Sequence, residues 1–512
     1  MAQVTQQHTF YLGNTLDVLK TLPDESVQCV VSSPPYFGLR SYGTDPQVWG
    51  GDPACQHEWI DLRIQARHDK TWASNSPEEN RPKEKTAAVS QGCFCSKCGA
   101  WLGELGLEPD PWLFVEHLVM VFREVHRVLR RDGTLWLNIA DTYARNPQKG
   151  DNSGWGKHAW VSDPLPSHGR AIPVGMKAKD LIGIPWMIGL ALRADGWYLR
   201  SSVIWGKQNC MPESVTDRPT RSHEYIFLLT KSGSPKFWTH PERDGVRKCP
   251  APDYAWVNKW TGEIRRNPPA DSKNWRRKNL WKGHDYFYDG DAIREPYAED
   301  SLARAARGRA ANPKWADGGP GGQTLASDPE LRNACSSPLG RNRRDLWVIP
   351  TEPFSGRHFA TFPEELVATC ILAGSPEVGA CPKCGAPWTR RVQTIREPDP
   401  TAGQNAMRGA GHFREGGTGP ANREGRVFER TVGAYTVGWA PTCSCGLEPA
   451  PATVGDFFGG SGTVSVVAQR YGRSSIYVDL KSEYRQMAID RMQPEQPSLV
   501  QPFEIVTKEV AG

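Results

Sequence analysis

The stretch DFFGGSGT, Asp456 to Thr463, constrains this chain more than any other. An apolar run from Thr453 to Phe458 enters it as a strand, and Gly462 to Arg470 leaves it with helical spacing. Glycines at such a turn let backbone approach a ligand closely, and the helix start presents unpaired N–H groups. A second strand, SSIYVDL, then ends at Asp479, about 20 residues on, where a carboxylate can take ribose hydroxyls. Strand, turn, helix and strand make a crossover unit, and such units build parallel sheets. A glycine-rich turn alone is an ordinary connection. Together with the aspartate it reads as a nucleotide-binding turn. The spacing departs from GxGxxG: Asp456, Phe458, Gly460 and Gly462 follow DxFxGxG instead.

The rest of the chain alternates in the same way. Phe10 to Leu12 reads as a strand and Asn14 to Leu22 as a helix with Leu16, Leu19 and Leu22 on one face. Val27 to Val31 is an apolar strand. Pro111 to Arg130 is an amphipathic helix, with Arg131-Asp132-Gly133 as its C-cap and Thr134 to Ile139 as the next strand. Asp180 to Ala194 reads as a helix, and Tyr198 to Trp205 and Tyr225 to Thr230 as strands. Glu364 to Leu372 and Glu483 to Met492 are helical. This alternation predicts an α/β fold with a mostly parallel sheet. Three irregular blocks interrupt it, at about 51–104, 241–340 and 381–445. The expected organisation is one α/β domain in four pieces, 1–50, 105–240, 341–380 and 446–500, with those blocks between them and a tail at 501–512. The Gly-rich stretch Thr401 to Gly425 is expected to be a mobile loop.

The strand from Val27 runs into Ser32-Ser33-Pro34-Pro35-Tyr36. The prolines fix φ and remove two N–H donors, so the tip is rigid and its carbonyls lack local partners. Such a tip can hold a flat group that carries N–H donors. A Pro-Pro turn that merely ends a strand is the competing reading.

Charge and cysteine content narrow the partners. The net charge of +5 is small for 512 residues, but Thr261 to Lys282 carries seven basic and two acidic residues interleaved with Trp275 and Trp281. That mixture suits a nucleic-acid backbone; an ordinary solvated surface is the alternative. No run of about 18 apolar residues predicts a membrane span, and the first residues lack the pattern of a signal peptide, so a cytoplasmic location is expected. Thirteen cysteines without an export signal argue for metal rather than disulfides. Cys55, His57, Cys95 and Cys98 make one set of four ligands, and Cys381, Cys384, Cys443 and Cys445 a second. Closed Cys/His quartets suit structural Zn²⁺, two ions in all, and would stabilise blocks too irregular to build a core. Cys93 could replace one ligand. Cys29, Cys210, Cys249, Cys335 and Cys370 stand alone and are expected to be buried. His223-Glu224 reads as a local hydrogen-bonding pair without a catalytic role.

SSPPY and DFFGGSGT together resemble the amino-methyltransferases of DNA, which methylate N4 of cytosine or N6 of adenine. The tip precedes the glycine turn with the basic region between them, an order that resembles the β class. KNLWKGHDYFYDGDAIREPY and NRRDLWVIPTEPFSGRHFATFPEELVATCILAG fit the same family. The cysteine-rich insertions resemble those of phage-encoded members. The resemblance implies a Rossmann-like S-adenosylmethionine-dependent methyltransferase fold, with zinc-binding insertions at 51–104 and 381–445 and a target-recognition region at 241–340. It implies Ser33, Pro34, Pro35 and Tyr36 as the catalytic tip. It implies Asp456, Phe458, Gly460, Gly462, Asp479, Thr361 and Phe362 at the cofactor, with Asn14 a further contact. Double-stranded DNA is the implied substrate, in a bacterial or phage-infected cell, with a cognate restriction endonuclease as a partner. Serine before Pro-Pro resembles the N4-cytosine enzymes, with N6-adenine the alternative. Where the family has Asp-Pro-Phe, this chain has Asp456-Phe457-Phe458, and the missing proline is expected to loosen the strand end. Three rival readings are a methyltransferase of RNA or small molecules, a non-catalytic DNA-binding protein, and a nucleotide-dependent oxidoreductase.

Overall fold

Nine strands form one sheet in the computed structural model: β1 (Gln6–Leu12), β2 (Val27–Ser32), β3 (Leu129–Ile139), β4 (Tyr198–Gly206), β5 (His223–Thr230), β6 (Leu346–Val348), β7 (Thr453–Asp456), β8 (Ser474–Asp479) and β9 (Phe503–Glu509). The structure describes residues 5–39, 41–61, 92–144, 175–231, 237–240, 243–247, 254–258, 263–270, 272–279, 282–297, 340–352, 362–398, 429–493 and 502–510. The sheet order is β6-β4-β5-β3-β2-β7-β8-β1-β9. Only β5 runs against its neighbours, pairing antiparallel with β3 and β4. Every other neighbouring pair is parallel, as the alternating sequence predicts.

Helices cover both faces. On one lie α1 (Thr15–Thr21), α2 (Pro111–Val128) and α3 (Ile184–Ala194); on the other lie α4 (Glu364–Gly374), α5 (Thr463–Arg470) and α6 (Ser482–Met492). Central strands therefore need apolar residues on both faces. In β3, Leu135, Leu137 and Ile139 enter the core under α2, while Trp136 enters the core under α4 and α5. The chain leaves β2 through α2 to β3 on one side. It leaves β7 through α5 to β8 on the other. The order thus reverses between β2 and β7, which opens a crevice at the carboxyl ends of the strands.

Several boundaries differ from the sequence reading, each for a local reason. Asp110 caps α2 by accepting from Trp112 N at 2.8 Å, and Pro111 occupies the first turn. The helix ends at Val128, and Arg131-Asp132-Gly133 is not a cap but lies inside β3. Gly133 is required there because a Cβ would meet Leu129 Cδ1 at 2.7 Å and Gln28 O at 2.8 Å. Helix α3 starts at Ile184, not Asp180. Its N-terminus is capped from β3's end, where the Asp141 carboxylate accepts from Gly183 N at 2.9 Å and Ile184 N at 3.0 Å. The expected tail contains β9, which extends the sheet beside β1 from Gln6↔Phe503 to Leu12↔Glu509. The missing proline does not leave the end of β7 loose. Phe457 is buried, and Thr15 Oγ1 donates to its carbonyl at 2.6 Å.

The irregular blocks contain small sheets of their own. Gln47–Trp49, Trp101–Gly103, Cys93–Cys95 and Trp59–Asp61 form a four-stranded sheet in that order. Trp388–Pro398 and Glu429–Pro441 form a long hairpin; Thr401 to Gly425 lies outside the described residues. Between 237 and 284 there are two three-stranded sheets, one holding Tyr254–Asn258 between Ile264–Arg265 and Trp275–Asn279. No helix among the described residues is long and apolar enough to cross a membrane.

Gly462 joins the glycine turn to α5 at φ +76, and a Cβ there would stand 2.3 Å from Ala488 Cβ on α6. Gly462→Ala therefore carries a left-handed backbone penalty and a packing clash, together about 2–3 kcal/mol. A thermal melt should show a lower Tm than wild type; an unchanged Tm would refute the packing described.

Candidate active site

The crevice between β2 and β7 holds a cleft of ≈ 680 Å³. Its floor is the rigid tip Ser33-Pro34-Pro35-Tyr36 at the end of β2, and its opposite wall is the turn Asp456–Gly460 at the end of β7. The sequence-predicted residues Ser33, Pro34, Pro35, Tyr36, Asp456, Phe458, Gly460, Asp479, Phe362 and Asn14 all line it. Gly462 lies just behind, at the start of α5. Thr361 lies outside the described residues.

The glycine turn is held by its neighbours. Asp456 Oδ1 accepts from Ser32 Oγ at 2.7 Å and from Phe458 N at 3.2 Å. Gly460 N donates to Asp479 Oδ2 at 2.8 Å, and Lys481 N to Asp479 Oδ1 at 2.8 Å. Gly459 must be glycine, since a Cβ would stand 2.2 Å from the Tyr477 ring. Both carboxyls resist ionisation. Burial raises Asp456 to about 7 against the pull of Ser32 and Phe458, and nearby Asp479 pushes the same way. Burial raises Asp479 to about 6 against the N–H groups of Lys481 and Gly460.

The Ser33–Tyr36 tip carries a network that the sequence reading missed. Tyr36 Oη donates to Glu224 Oε2 at 2.7 Å and accepts from Asn138 Nδ2 at 2.8 Å and Ser33 Oγ at 3.2 Å. Asn138 comes from the end of β3, and Glu224 from the start of antiparallel β5, so both reach the same edge. Glu224 also pairs with Lys207, just beyond β4. His223-Glu224 is thus no isolated local pair. The available signals were one asparagine in the apolar run TLWLNI and one carboxylate opening an otherwise apolar strand.

Both cysteine quartets assemble: within each, the ligand atoms all lie within 4.8 Å of one another. Zn–S bonds of about 2.3 Å at tetrahedral angles place sulfurs about 3.8 Å apart. Cys55 Sγ and Cys95 Sγ are 3.9 Å apart, and Cys384 Sγ and Cys445 Sγ 3.6 Å. The two CxxCG turns are alike: Gly99 N donates to Cys95 O at 3.0 Å, and Gly385 N to Cys381 O at 2.7 Å, both glycines having positive φ. The residues fit a tetrahedral metal. Cys93 is not part of its quartet. Cys29 and Cys370 are buried as expected, but Cys210 is only half-buried, on the loop after β4.

The quartets sit at different ends of the sheet. The sheet carrying the first is clamped on α2, where Trp49 and Trp101 both stack on His117 with centroids 5.3 and 5.4 Å away. Its connection to α2 includes Glu104, which lines the cleft and accepts from Ser41 Oγ at 2.7 Å and from Tyr42 N. The second quartet lies by the start of β3, where Arg130 Nη1 donates to Cys384 O at 3.3 Å.

Comparison with known proteins gives consistent findings. A profile described as DNA methylase, for the N6/N4 methyltransferases, matches residues 27–381. The Type II methyltransferase M.Cfr9I of Citrobacter freundii is 32% identical over 72% of this chain and 72% of its own length. The Type II methyltransferase M.SmaI of Serratia marcescens is 30% identical over 71% of this chain and 74% of its own. Among solved structures, the PvuII DNA methyltransferase (cytosine-N4-specific) aligns over 96% of this chain and 90% of its own, with 13% identity and a TM-score of 0.38.

Asp456 and the two Cys/His quartets each give a test. The folded pKa of Asp456 lies above its ordinary value, so the folded state holds more protons than the unfolded between about pH 4 and 7. Stability contributed by the protonated carboxyl is therefore lost as pH rises through that window. The Tm of the ligand-free protein should fall from pH 5 to 8, and fall less in Asp456→Asn, which keeps the acceptor; equal slopes would refute this. Full occupancy of both quartets gives two metal ions per chain by elemental analysis, and one in either Cys98→Ser or Cys445→Ser. Only Cys98→Ser should weaken ligand binding in the cleft, by roughly tenfold in Kd, because only its sheet adjoins the wall at Glu104. Equal affinities in the two variants would contradict that coupling.

Proposed function

This chain belongs to the N6/N4 family of DNA methylases, and we propose that it transfers a methyl group from S-adenosyl-L-methionine to N4 of a cytosine flipped out of double-stranded DNA. The observation that carries the cofactor reading is the sign of the cleft. Among the described residues that line it are Glu104, Glu224, Glu352, Asp456 and Asp479, and of these described residues Lys207, already paired with Glu224, is the only lysine or arginine. A pyrophosphate-bearing dinucleotide would be repelled there, while a sulfonium cation relieves the two reluctant carboxyls. That argues against the oxidoreductase reading.

When bound, S-adenosylmethionine supplies an electrophilic methyl group. The protein's task is to place an amine in line with it, and positioning supplies much of the rate. An exocyclic amine is a weak nucleophile because its lone pair is delocalised into the ring. Ser33 Oγ and the Pro34 carbonyl accept its N–H groups and draw the nitrogen towards tetrahedral geometry. The Tyr36 ring stacks on the base and offsets part of the stacking lost on flipping. The Gly460 turn admits the cofactor, Asp479 takes its ribose, and Phe362 and Thr361 complete that side. The serine at position 33 and the family resemblance of its motif favour N4 of cytosine over N6 of adenine.

The remaining parts of the chain serve this reaction. The region 241–340 holds the DNA, and the described part of it carries guanidinium–aromatic pairs, Arg277 over Tyr254 at 4.8 Å and Arg265 over Trp275 at 4.9 Å. Such pairs suit phosphate and base contacts. Two structural Zn²⁺ ions staple the insertions. A cognate Type II restriction endonuclease is the partner in the cell.

The test is to incubate the purified protein with duplex DNA and methyl-labelled S-adenosylmethionine, digest, and separate the nucleosides. Label is expected in N4-methyldeoxycytidine, falling about a hundredfold in Ser33→Ala. Label in N6-methyldeoxyadenosine would overturn the choice of base and keep the mechanism. No label in DNA would overturn the function.

A further inference from the structure

Glu224 lies outside every motif that marks the family here, yet its carboxylate touches the catalytic tip. We propose that Glu224 is a positioning residue that fixes the direction of the hydrogen bonds at Tyr36 and so makes Ser33 a pure acceptor towards the target amine. This rests on the reading of Ser33 as the group that receives the amine's N–H.

A carboxylate has no proton to give, so the hydrogen bond at 2.7 Å must be donated by the Tyr36 hydroxyl. Tyr36 Oη can then only accept from its remaining neighbours. It accepts from Asn138 Nδ2 at 2.8 Å and from Ser33 Oγ at 3.2 Å. Serine has one proton, and here it is committed to Tyr36. Both lone pairs of Ser33 Oγ are left for a ligand that brings N–H groups. Burial keeps Tyr36 a neutral hydroxyl, first by desolvation and then through the Glu224 charge, so the chain keeps its polarity across ordinary pH.

Two further groups hold the anchor. Asn138 Nδ2 donates to Glu224 Oε2 at 3.0 Å, and Lys207 pairs with Oε1 while lying 4.5 Å from the centroid of Trp205. The device therefore draws on β2, β3, β5 and the end of β4, and it exists only when this sheet edge is assembled. Its chemical consequence is selection. With Glu224 in place, a base offering an amine is matched, and one offering a keto oxygen meets lone pairs. Without it, Tyr36 is free to donate to Ser33, and Ser33 to donate to the ligand.

The test is a double-mutant cycle read by single-turnover methylation of duplex DNA at saturating cofactor and DNA. The variants are Glu224→Gln, Tyr36→Phe and the two combined, with the S-adenosylmethionine Kd measured for each. Phenylalanine keeps the stacking ring, and glutamine keeps the size of the anchor while being able to donate. Each single change should slow methyl transfer about tenfold, the worth of one oriented hydrogen bond. The double variant should be no slower than the worse single, because both break one chain. The cofactor Kd should stay within about twofold. A wild-type rate in either single variant, or losses that multiply, would overturn the proposal; if Glu224→Gln does not fold, the Tyr36→Phe rate decides. Wild-type protein that methylates no DNA amine would instead overturn the reading of Ser33.

Discussion

The pairing of β2 with β7 is the contact on which the site depends. It joins residues 425 apart in sequence, and it is sealed at the edge that faces the cleft by the hydrogen bond from Ser32 Oγ to Asp456 Oδ1. One strand delivers the Ser33–Tyr36 tip to the cleft, and the other delivers the Asp456–Gly460 turn. Neither half makes a site alone. Because the helices that leave these strands lie on opposite faces, a crevice opens at their shared carboxyl ends. That topology makes a transfer reaction between two ligands possible.

Electrostatics then selects the ligand. A helix start and a glycine turn would ordinarily invite phosphate. Here five carboxylates stand among the described residues that line the cleft, and burial raises two of them, Asp456 and Asp479. The same turn geometry that elsewhere grips a pyrophosphate is converted to one that favours a cation. The Cys/His quartets lie at a distance from this chemistry. One staples the sheet whose edge forms part of the cleft wall, and the other braces the far end near Arg130.

The sheet was legible because its strands are buried on both faces or lead directly into helices of clear period. β9 was not, since FEIVTKE alternates with charge and lies at a sheet edge, where only one neighbour dictates its residues. The helix starting at Ile184 was misread because its cap, Asp141, stands 43 residues away from Ile184. Local rules cannot see such a partner. The ligand quartets were legible because CxxCG turns repeat and cysteines cluster. The motif pointed to Ser33 and Tyr36, which line the cleft, but no motif pointed to Glu224 and Asn138, which bond to Tyr36. Their meaning lies in contacts across three strands, and each on its own is an ordinary polar residue at a strand end.

The most direct measurement is calorimetric titration of the ligand-free protein with S-adenosylmethionine near pH 6.5, in two buffers of different ionisation enthalpy. A cation entering a cleft that holds partly protonated Asp456 and Asp479 should drive protons out. The account predicts binding with net proton release, reduced in Asp456→Asn. Absence of binding, or binding with proton uptake, would contradict it.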